Sequence, residues 1–534
     1  MGGTTAVSQP RQRESTGRHA FLVAAGILIS RIIGLVRQRY FNKYFGLYDT
    51  ADAFSAALKV PNFLQNLFGE GVLSASFIPV YARLLAEGDE KEAGRVAGAV
   101  FTILTTVVSG IVLLGVLATP YLMWAIAPGF HGAKRELAIL LVRILFPGAG
   151  LLVCSAWCLG ILNSHRKFFL SYSAPVLWNA AMIATMIIFH NAGANGLAIR
   201  LAWGTVLGCA LQFGAQMPEV LRLVRKLRLV WDAESAHIRE VFRNFAPVSV
   251  SRGVVQISAY VDQALASLLG EGAVAGMQNA QSIYMLPVSL FGMAVSAAEL
   301  PAMSSALGDP AAVAAGLQRR LDAGLRQIAF FIVPSAVAFL AFGDVITAML
   351  YVSGKFTPEH ARYVWGIVAG SAVGLLASTL GRLYASTYYA LRDTRTPLRY
   401  ATVRVVLTTL LGFVCARYVP GWIGIDLKWG AAGLTASAGF AGWVEFTLLR
   451  REMNRRIGIT GLPAALVGKL WASAAMSAGL GWGIKLAIGR LHPILAGGVI
   501  LVPYGLAYFG VTWLLGVEEC EGAFRRFLRL RRQA

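Results

Sequence analysis

Apolar stretches, each long enough to form a helix that crosses a bilayer, alternate with short polar breaks from residue 20 nearly to the end of the chain. They occupy residues 20–41, 50–82, 96–118, 136–162, 168–190, 196–218, 243–270, 273–307, 324–350, 361–391, 400–418, 429–449, 463–488 and 492–516. About 20 apolar residues cover the hydrocarbon thickness, and a span with its loop uses roughly 35 to 40. The pattern therefore predicts an all-α membrane protein with about fourteen transmembrane helices. The second and eighth runs contain Pro61 with Gly69 and Pro287 with Gly292, so both are expected to be broken or bent. The run after the N-terminal arm lacks a small-residue cleavage site, which predicts a retained first span.

The breaks carry a directional signal. With both termini inside, the inner segments hold roughly 29 of the 48 Lys and Arg, and the outer loops hold about seven. Residues 221–241 carry arginines between apolar positions and predict an amphipathic helix on the inner surface. The pattern also recurs. Ser30-Arg31 returns as Ser251-Arg252, and Val60-Pro61 with Leu67-Phe68-Gly69 as Leu286-Pro287 with Leu290-Phe291-Gly292. Pro79 matches Pro301, Gly129-Phe130 matches Lys355-Phe356, and Asn163-Ser164-His165-Arg166 matches Arg392-Asp393-Thr394-Arg395. The common offset is about 221 to 230 residues. It spans an even number of helices, which predicts two parallel six-helix lobes related by a pseudo-two-fold axis along the membrane normal, with a substrate site between them.

The expected organisation is a cytoplasmic arm over 1–19, a first lobe over 20–218 and a cytoplasmic amphipathic linker over 219–242. A second lobe follows over 243–450, then two helices over 451–517 and a basic cytoplasmic tail over 518–534.

Composition supports the membrane reading. Hydrophobic residues are 56% of the 534 and charged residues only 14%, against about 25% charged in soluble domains. The net charge of +21 is spread between apolar runs, so nucleic-acid binding is not indicated. Five cysteines give no disulfide framework, and Cys154 and Cys158 have no further ligand nearby for a metal. No phosphate-binding loop, zinc-protease motif or nucleophile elbow occurs, so the chain is not read as an enzyme. Transport is expected to need no cofactor and to draw on a coupling cation or the membrane potential, about 2.3 kcal/mol per charge per 100 mV.

Charged residues within the runs are the candidate chemistry. An arginine at the bilayer centre costs about 2.5 to 3.5 kcal/mol on insertion scales, so it faces a cavity, a partner or the interface. Arg31, Arg37, Lys59, Arg143, Arg252 and Arg382 qualify, with Asp52, Glu70, Asp262 and Glu299 as the fewer acidic partners. Surplus positive charge suits an anionic substrate, and the guanidinium fork matches phosphate oxygens. Arg31, Arg37, Asp52, Lys59, Asn62, Glu70 and Arg252 are the expected cavity residues. Asp262 and Asp393 are expected either to hold a coupling cation or to pair with arginines such as Arg252 and Arg392.

The blocks Ser30-Arg31-Ile32-Ile33-Gly34-Leu35-Val36-Arg37, Asp52-Ala53-Phe54, Lys59-Val60-Pro61-Asn62, Phe68-Gly69-Glu70-Gly71 and Ser76-Phe77-Ile78-Pro79 resemble the MurJ (MviN) family. Ala127-Pro128-Gly129-Phe130, Gly354-Lys355-Phe356-Thr357 and Arg392-Asp393-Thr394-Arg395-Thr396-Pro397 match it too. The resemblance implies a flippase for lipid II, a peptidoglycan precursor carried on undecaprenyl pyrophosphate, in the bacterial inner membrane and near the cell-wall synthesis machinery. It implies a cationic central cavity in which Arg31, Arg37 and Asp52 hold important positions. It also implies that the last two helices frame a groove for the lipid tail. Two arginines common in the family are replaced here by Gln65-Asn66 and by Ser282. A flippase for another undecaprenyl-linked saccharide, or a non-transporting membrane scaffold, are the alternative readings.

Overall fold

The computed structural model describes residues 29–522 except 225–226, 228–229, 232–234, 297–298, 300–302, 304–309 and 490, and omits the side chains of 250–252, 254–255 and 310–312. Among the described residues there is no strand, and helices cover every predicted apolar run. The first unit contains α1 (29–45), α2 (Asp49–Phe68), α3 (Glu70–Ala86), α4 (Glu90–Leu117), α5 (Thr119–Ile126), α6 (Gly132–Ser164), α7 (Phe168–Ser173), α8 (Pro175–Ile188) and α9 (Ala194–Leu223). The chain then enters α10 (Ala236–Ser267), inside which the division between two compact units falls, after Tyr260. The second unit contains α11 (Ala273–Pro287), α12 (Pro310–Tyr351), α13 (Pro358–Ala372), α14 (Leu375–Ala390), α15 (Arg395–Arg417), α16 (Gly430–Ile457), α17 (Ala464–Ala487) and α18 (Pro493–Leu514), and it also takes in Gly46–Tyr48.

Seven of the described helices are long and apolar enough to cross a membrane, or eight if the bent pair α13–α14 forms one span. Several of the others carry the charges and helix breaks noted in the sequence, such as Asp52 and Lys59 on α2 or Arg252 and Asp262 on α10.

The expected breaks occur. Gly69 separates α2 from α3, and a Cβ there would collide with the Gln65 carbonyl oxygen, so only glycine allows the turn to fold this tightly. After Pro287 the chain widens into a π-helical turn, Val288–Met293. Two further breaks were not foreseen. Residue Phe342 leaves helical geometry inside α12 (φ −130°, ψ 15°), and α13 meets α14 at 46°.

Side-chain donors satisfy the carbonyls these breaks release, as a membrane interior requires. Trp365 Nε1 donates to the carbonyls of Phe339 and Leu340 at 3.1 and 3.2 Å. Trp443 Nε1 donates to the Val373 carbonyl at 2.8 Å. Pro334 has no N–H for the carbonyl four residues earlier, Phe330, and Tyr508 Oη donates to that oxygen at 2.7 Å.

Among the described residues, the expected amphipathic helix over residues 221–241 is not seen as a separate helix. Leu221–Leu223 finish α9, Ala236 begins α10, and the described residues Val224, Leu227, Val230 and Trp231 are not helical. Burial explains the difference. Val220, Val224, Ile238, Val241 and Phe245 join a core with Val72, Phe77, Val96, Val153, Trp157 and Ile161 of α3, α4 and α6. Val224, Ile238 and Val241 are therefore used in packing, while Leu221, Val230 and Trp231 stay exposed. Arg83 pairs with Glu240 at 2.7 Å and Ser235 Oγ donates to Glu92 at 3.5 Å, so polar contacts hold the start of α10 as well.

The repeat has a backbone counterpart. Left-handed residues end or begin corresponding helices at Gly46 and Gly272, Gly132 and Gly354, Arg166 and Arg392, and Gly193 and Gly424. Their separations are about 222 to 231 residues. Arg166 and Arg392 are the two non-glycine residues with positive φ among the described residues, both at 60°.

Candidate substrate site

Helix α1 presents two of the candidate arginines. Arg31 and Arg37 are six residues apart, so their directions differ by about 120°. Arg31 is exposed and Arg37 is half-buried. The Arg37 guanidinium lies over the Trp178 ring, 5.1 Å from its centroid, with Met182 Sδ 3.9 Å from one terminal nitrogen and Gln38 Oε1 3.4 Å from the other. Trp178 and Met182 are four apart on α8 and so share a face. A guanidinium on an aromatic face keeps its edge for hydrogen bonding while its flat surface is desolvated.

Asp52 departs from expectation. It was expected to line the cavity, but it is fully buried in the first turn of α2, and Lys134 Nζ lies 2.7 Å from its Oδ2. The same ammonium reaches Asp49 at 2.8 Å and stands over the Phe130 ring at 4.5 Å. In the sequence Lys134 falls in the polar break between the runs 96–118 and 136–162. The fold instead turns α6 back on α2, so the lysine neutralises a carboxylate that could not otherwise be buried. Asp52 is thus an internal ion-pair partner rather than an open contact.

Lys59 is half-buried beside α10. Its ammonium donates to the Ala259 carbonyl at 3.5 Å, and Tyr260 Oη donates to the Lys59 carbonyl at 3.0 Å. Asn62 is half-buried on α2, and Glu70 is exposed at the start of α3. Arg143 and Arg382 are exposed on α6 and α14. Arg252 lies in α10, but its side chain is outside the described residues. Ser282 donates to the Gln278 carbonyl at 2.9 Å, a bond within its own helix.

Of the two proposed ion-coupling residues, Asp262 is half-buried on α10. Asp393 is committed elsewhere, which corrects its reading as a cation site. Its Oδ2 accepts from Thr396 Oγ1 at 2.7 Å and from Arg456 at 2.8 Å. Its Oδ1 accepts from the backbone N–H groups of Thr396 and Arg395 at 3.0 and 2.9 Å. The Thr396 hydroxyl and backbone bonds, joined by Arg456, hold this carboxyl down at about 2. The pairing reading was right in kind, but the partner is Arg456 rather than Arg392 or Arg252.

Sequence reasoning also missed two functional-looking groups. Trp178 gave no signal because aromatic residues are common in apolar runs. The pair of Asp344 with Lys485 (2.7 Å), with the ammonium 4.8 Å from the Trp482 centroid, joins α12 to α17 and could be seen only after folding.

A helical chain of this kind, with cations held among aromatic and polar side chains inside apolar helices, has the fold of a polytopic membrane transporter. It is similar to a solved MATE-family multidrug transporter of the MOP superfamily in its inward-facing conformation (TM-score 0.63, 18% identity, 82% of this chain and 98% of that one). It is more similar to a solved lipid II flippase MurJ in an inward closed conformation (TM-score 0.77, 22% identity, 93% and 98%). The chain belongs to the MurJ family: the family described as "Lipid II flippase MurJ" matches residues 41–491. Among relatives, the lipid II flippase MurJ of Burkholderia cenocepacia is 28% identical over 95% of this chain and 98% of its own length. The probable lipid II flippase MurJ of Rhizobium tropici is 29% identical over 96% of each.

Proposed function

We propose that this protein moves lipid II from the inner to the outer leaflet of the bacterial cytoplasmic membrane. The observation that carries the reading is family membership over residues 41–491, with relatives covered almost end to end. The protein is a transporter and not an enzyme. Its substrate carries a pyrophosphate between a polyprenyl tail and a sugar-peptide headgroup. Arg37, which lies over the Trp178 ring, is the group we assign to that pyrophosphate, with Arg31 about 1.7 turns away on the same helix. Asp52 is assigned to holding α2 against α6.

The proposed arrangement has fourteen crossings with both termini cytoplasmic, grouped as two six-helix repeats and two final helices. The placement of a helix on every apolar run, the bias of Lys and Arg, and the paired left-handed turns support it. Alternating access coupled to the membrane potential or to a cation follows as the proposed cycle, with Asp262 as the remaining carboxylate for coupling.

The test is complementation of a strain depleted of its own lipid II flippase, with lipid II reaching the outer leaflet as the readout. Growth and labelled outer-leaflet lipid II are expected. Loss of one other surface polymer, with lipid II movement unaffected, would replace this reading with a flippase for a different undecaprenyl-linked saccharide.

A further inference from the structure

Among the candidate cations, Arg37 has the environment that says most about how it works. Its guanidinium lies over the Trp178 ring, 5.1 Å from the centroid. The indole is itself fixed from behind. At Gly208 of α9 a Cβ would lie 3.0 Å from the Trp178 Cα, Cδ1 and carbonyl oxygen alike, so α8 and α9 touch backbone to side chain at this level. Trp178 therefore sits between Gly208 of α9 and Arg37 of α1. A guanidinium is planar and binds phosphate through its edge, so a plate under its flat face sets the direction in which that edge points.

We propose that Trp178 is a positioning residue for substrate binding: it holds the Arg37 guanidinium in the plane needed to meet the pyrophosphate of the lipid substrate, and Gly208 holds Trp178. The proposal rests on the reading of Arg37 as a pyrophosphate contact. Trp178 need not touch the substrate, and its removal acts through Arg37.

The experiment measures equilibrium binding of fluorescently labelled lipid II to the purified full-length protein in detergent, compared at equal amounts of folded protein. The variants are Trp178→Phe, Trp178→Leu, Gly208→Ala and Arg37→Ala, together with Trp178→Leu and Gly208→Ala each combined with Arg37→Ala. Trp178→Leu is expected to raise Kd about two- to thirtyfold, the range spanned by exposed and desolvated cation–π contacts. Trp178→Phe, which keeps an aromatic face, is expected to recover most of that loss. In the Arg37→Ala background neither Trp178→Leu nor Gly208→Ala should weaken binding further.

Normal binding by Arg37→Ala would overturn the assignment of Arg37 and the proposal with it. Weak binding by Arg37→Ala beside normal binding by Trp178→Leu would overturn the proposal alone. Equal losses from Trp178→Leu with and without Arg37 would make Trp178 a packing residue and also overturn it. If Trp178→Leu does not fold, the decision falls to Gly208→Ala, which pushes on the Trp178 backbone and ring without removing the indole: a loss confined to the Arg37 background supports the proposal, and no loss or an equal loss in both overturns it.

Discussion

Replacing Lys134 by methionine tests the claim that Asp52 is an internal ion-pair partner. Lys134→Met keeps most of the side-chain length and apolar stem but leaves the Asp52 carboxylate, which is fully buried, without its ammonium. Removing one member of a buried pair costs about 3 to 5 kcal/mol. A second route gives a similar ceiling. The protein can avoid an unpaired buried charge by protonating it, and protonating an ordinary carboxylate at pH 7 costs about three pKa units at 1.36 kcal/mol each, or about 4 kcal/mol. The loss should therefore be about 3 to 4 kcal/mol at pH 7.

Asp52→Asn should cost less, because Lys134 keeps Asp49 at 2.8 Å, and Asp49→Asn should cost about 1 kcal/mol or less, because that carboxylate is largely exposed. The double variant Asp52→Asn with Lys134→Met should be more stable than Lys134→Met alone, since no buried charge is left unpaired. Thermal unfolding in detergent can be followed with a thiol-reactive dye, because Cys154, Cys158, Cys209 and Cys520 are buried and react only on unfolding. If Lys134→Met unfolds at the wild-type temperature at pH 7, or the double variant is no better than Lys134→Met, then Asp52 is not held as described and returns to the list of open contacts.

The same assay separates two tyrosines. Tyr508→Phe leaves the Phe330 carbonyl, which Pro334 cannot serve, without a donor and should cost about 1 to 3 kcal/mol, while Tyr504→Phe, whose acceptor is the Pro334 carbonyl, should cost less. Adding Pro334→Ala should make Tyr508→Phe nearly neutral, and an unchanged penalty would refute the capping role. Asp393 is held at about 2, below the ordinary carboxylate value, so its contribution is complete above pH 4 and declines as pH falls from about 4 towards 2. Hydrogen exchange of the turn between α14 and α15 should keep its protection from pH 7 to 5 and lose it below 4, and a loss already at pH 5 would contradict the pairing with Arg456. Orientation is checked by single cysteines at exposed non-glycine loop positions. Asn191→Cys and Glu271→Cys should react with an impermeant thiol reagent outside the cell, and Glu87→Cys and Ile459→Cys only after the membrane is opened. The reverse pattern would invert the transport direction.

How much was legible in the sequence depended on how local the physics was. Apolar runs long enough to cross a bilayer force helices whatever surrounds them, because unsatisfied backbone groups are too costly in lipid, and a helix covers each run that was read. Gly69, Pro287 and Gly292 announced their breaks because a missing Cβ or a missing N–H acts within one turn, whereas α2 runs unbroken through Pro61. The breaks at Phe342 and between α13 and α14 were invisible, because what makes them tolerable is a tryptophan from another helix, Trp365 in one case and Trp443 in the other. The charged candidates divide in the same way. Residue type and position marked Arg37, Asp52 and Asp393 as important, and the family blocks added weight. Only the tertiary structure could decide that Asp52 is spent on Lys134, Asp393 on Arg456, and Arg37 on the face of Trp178, because each partner lies at least sixty residues away along the chain. An ionisable side chain in an apolar helix must find a partner or a cavity, and its own sequence neighbourhood records that need without naming what meets it.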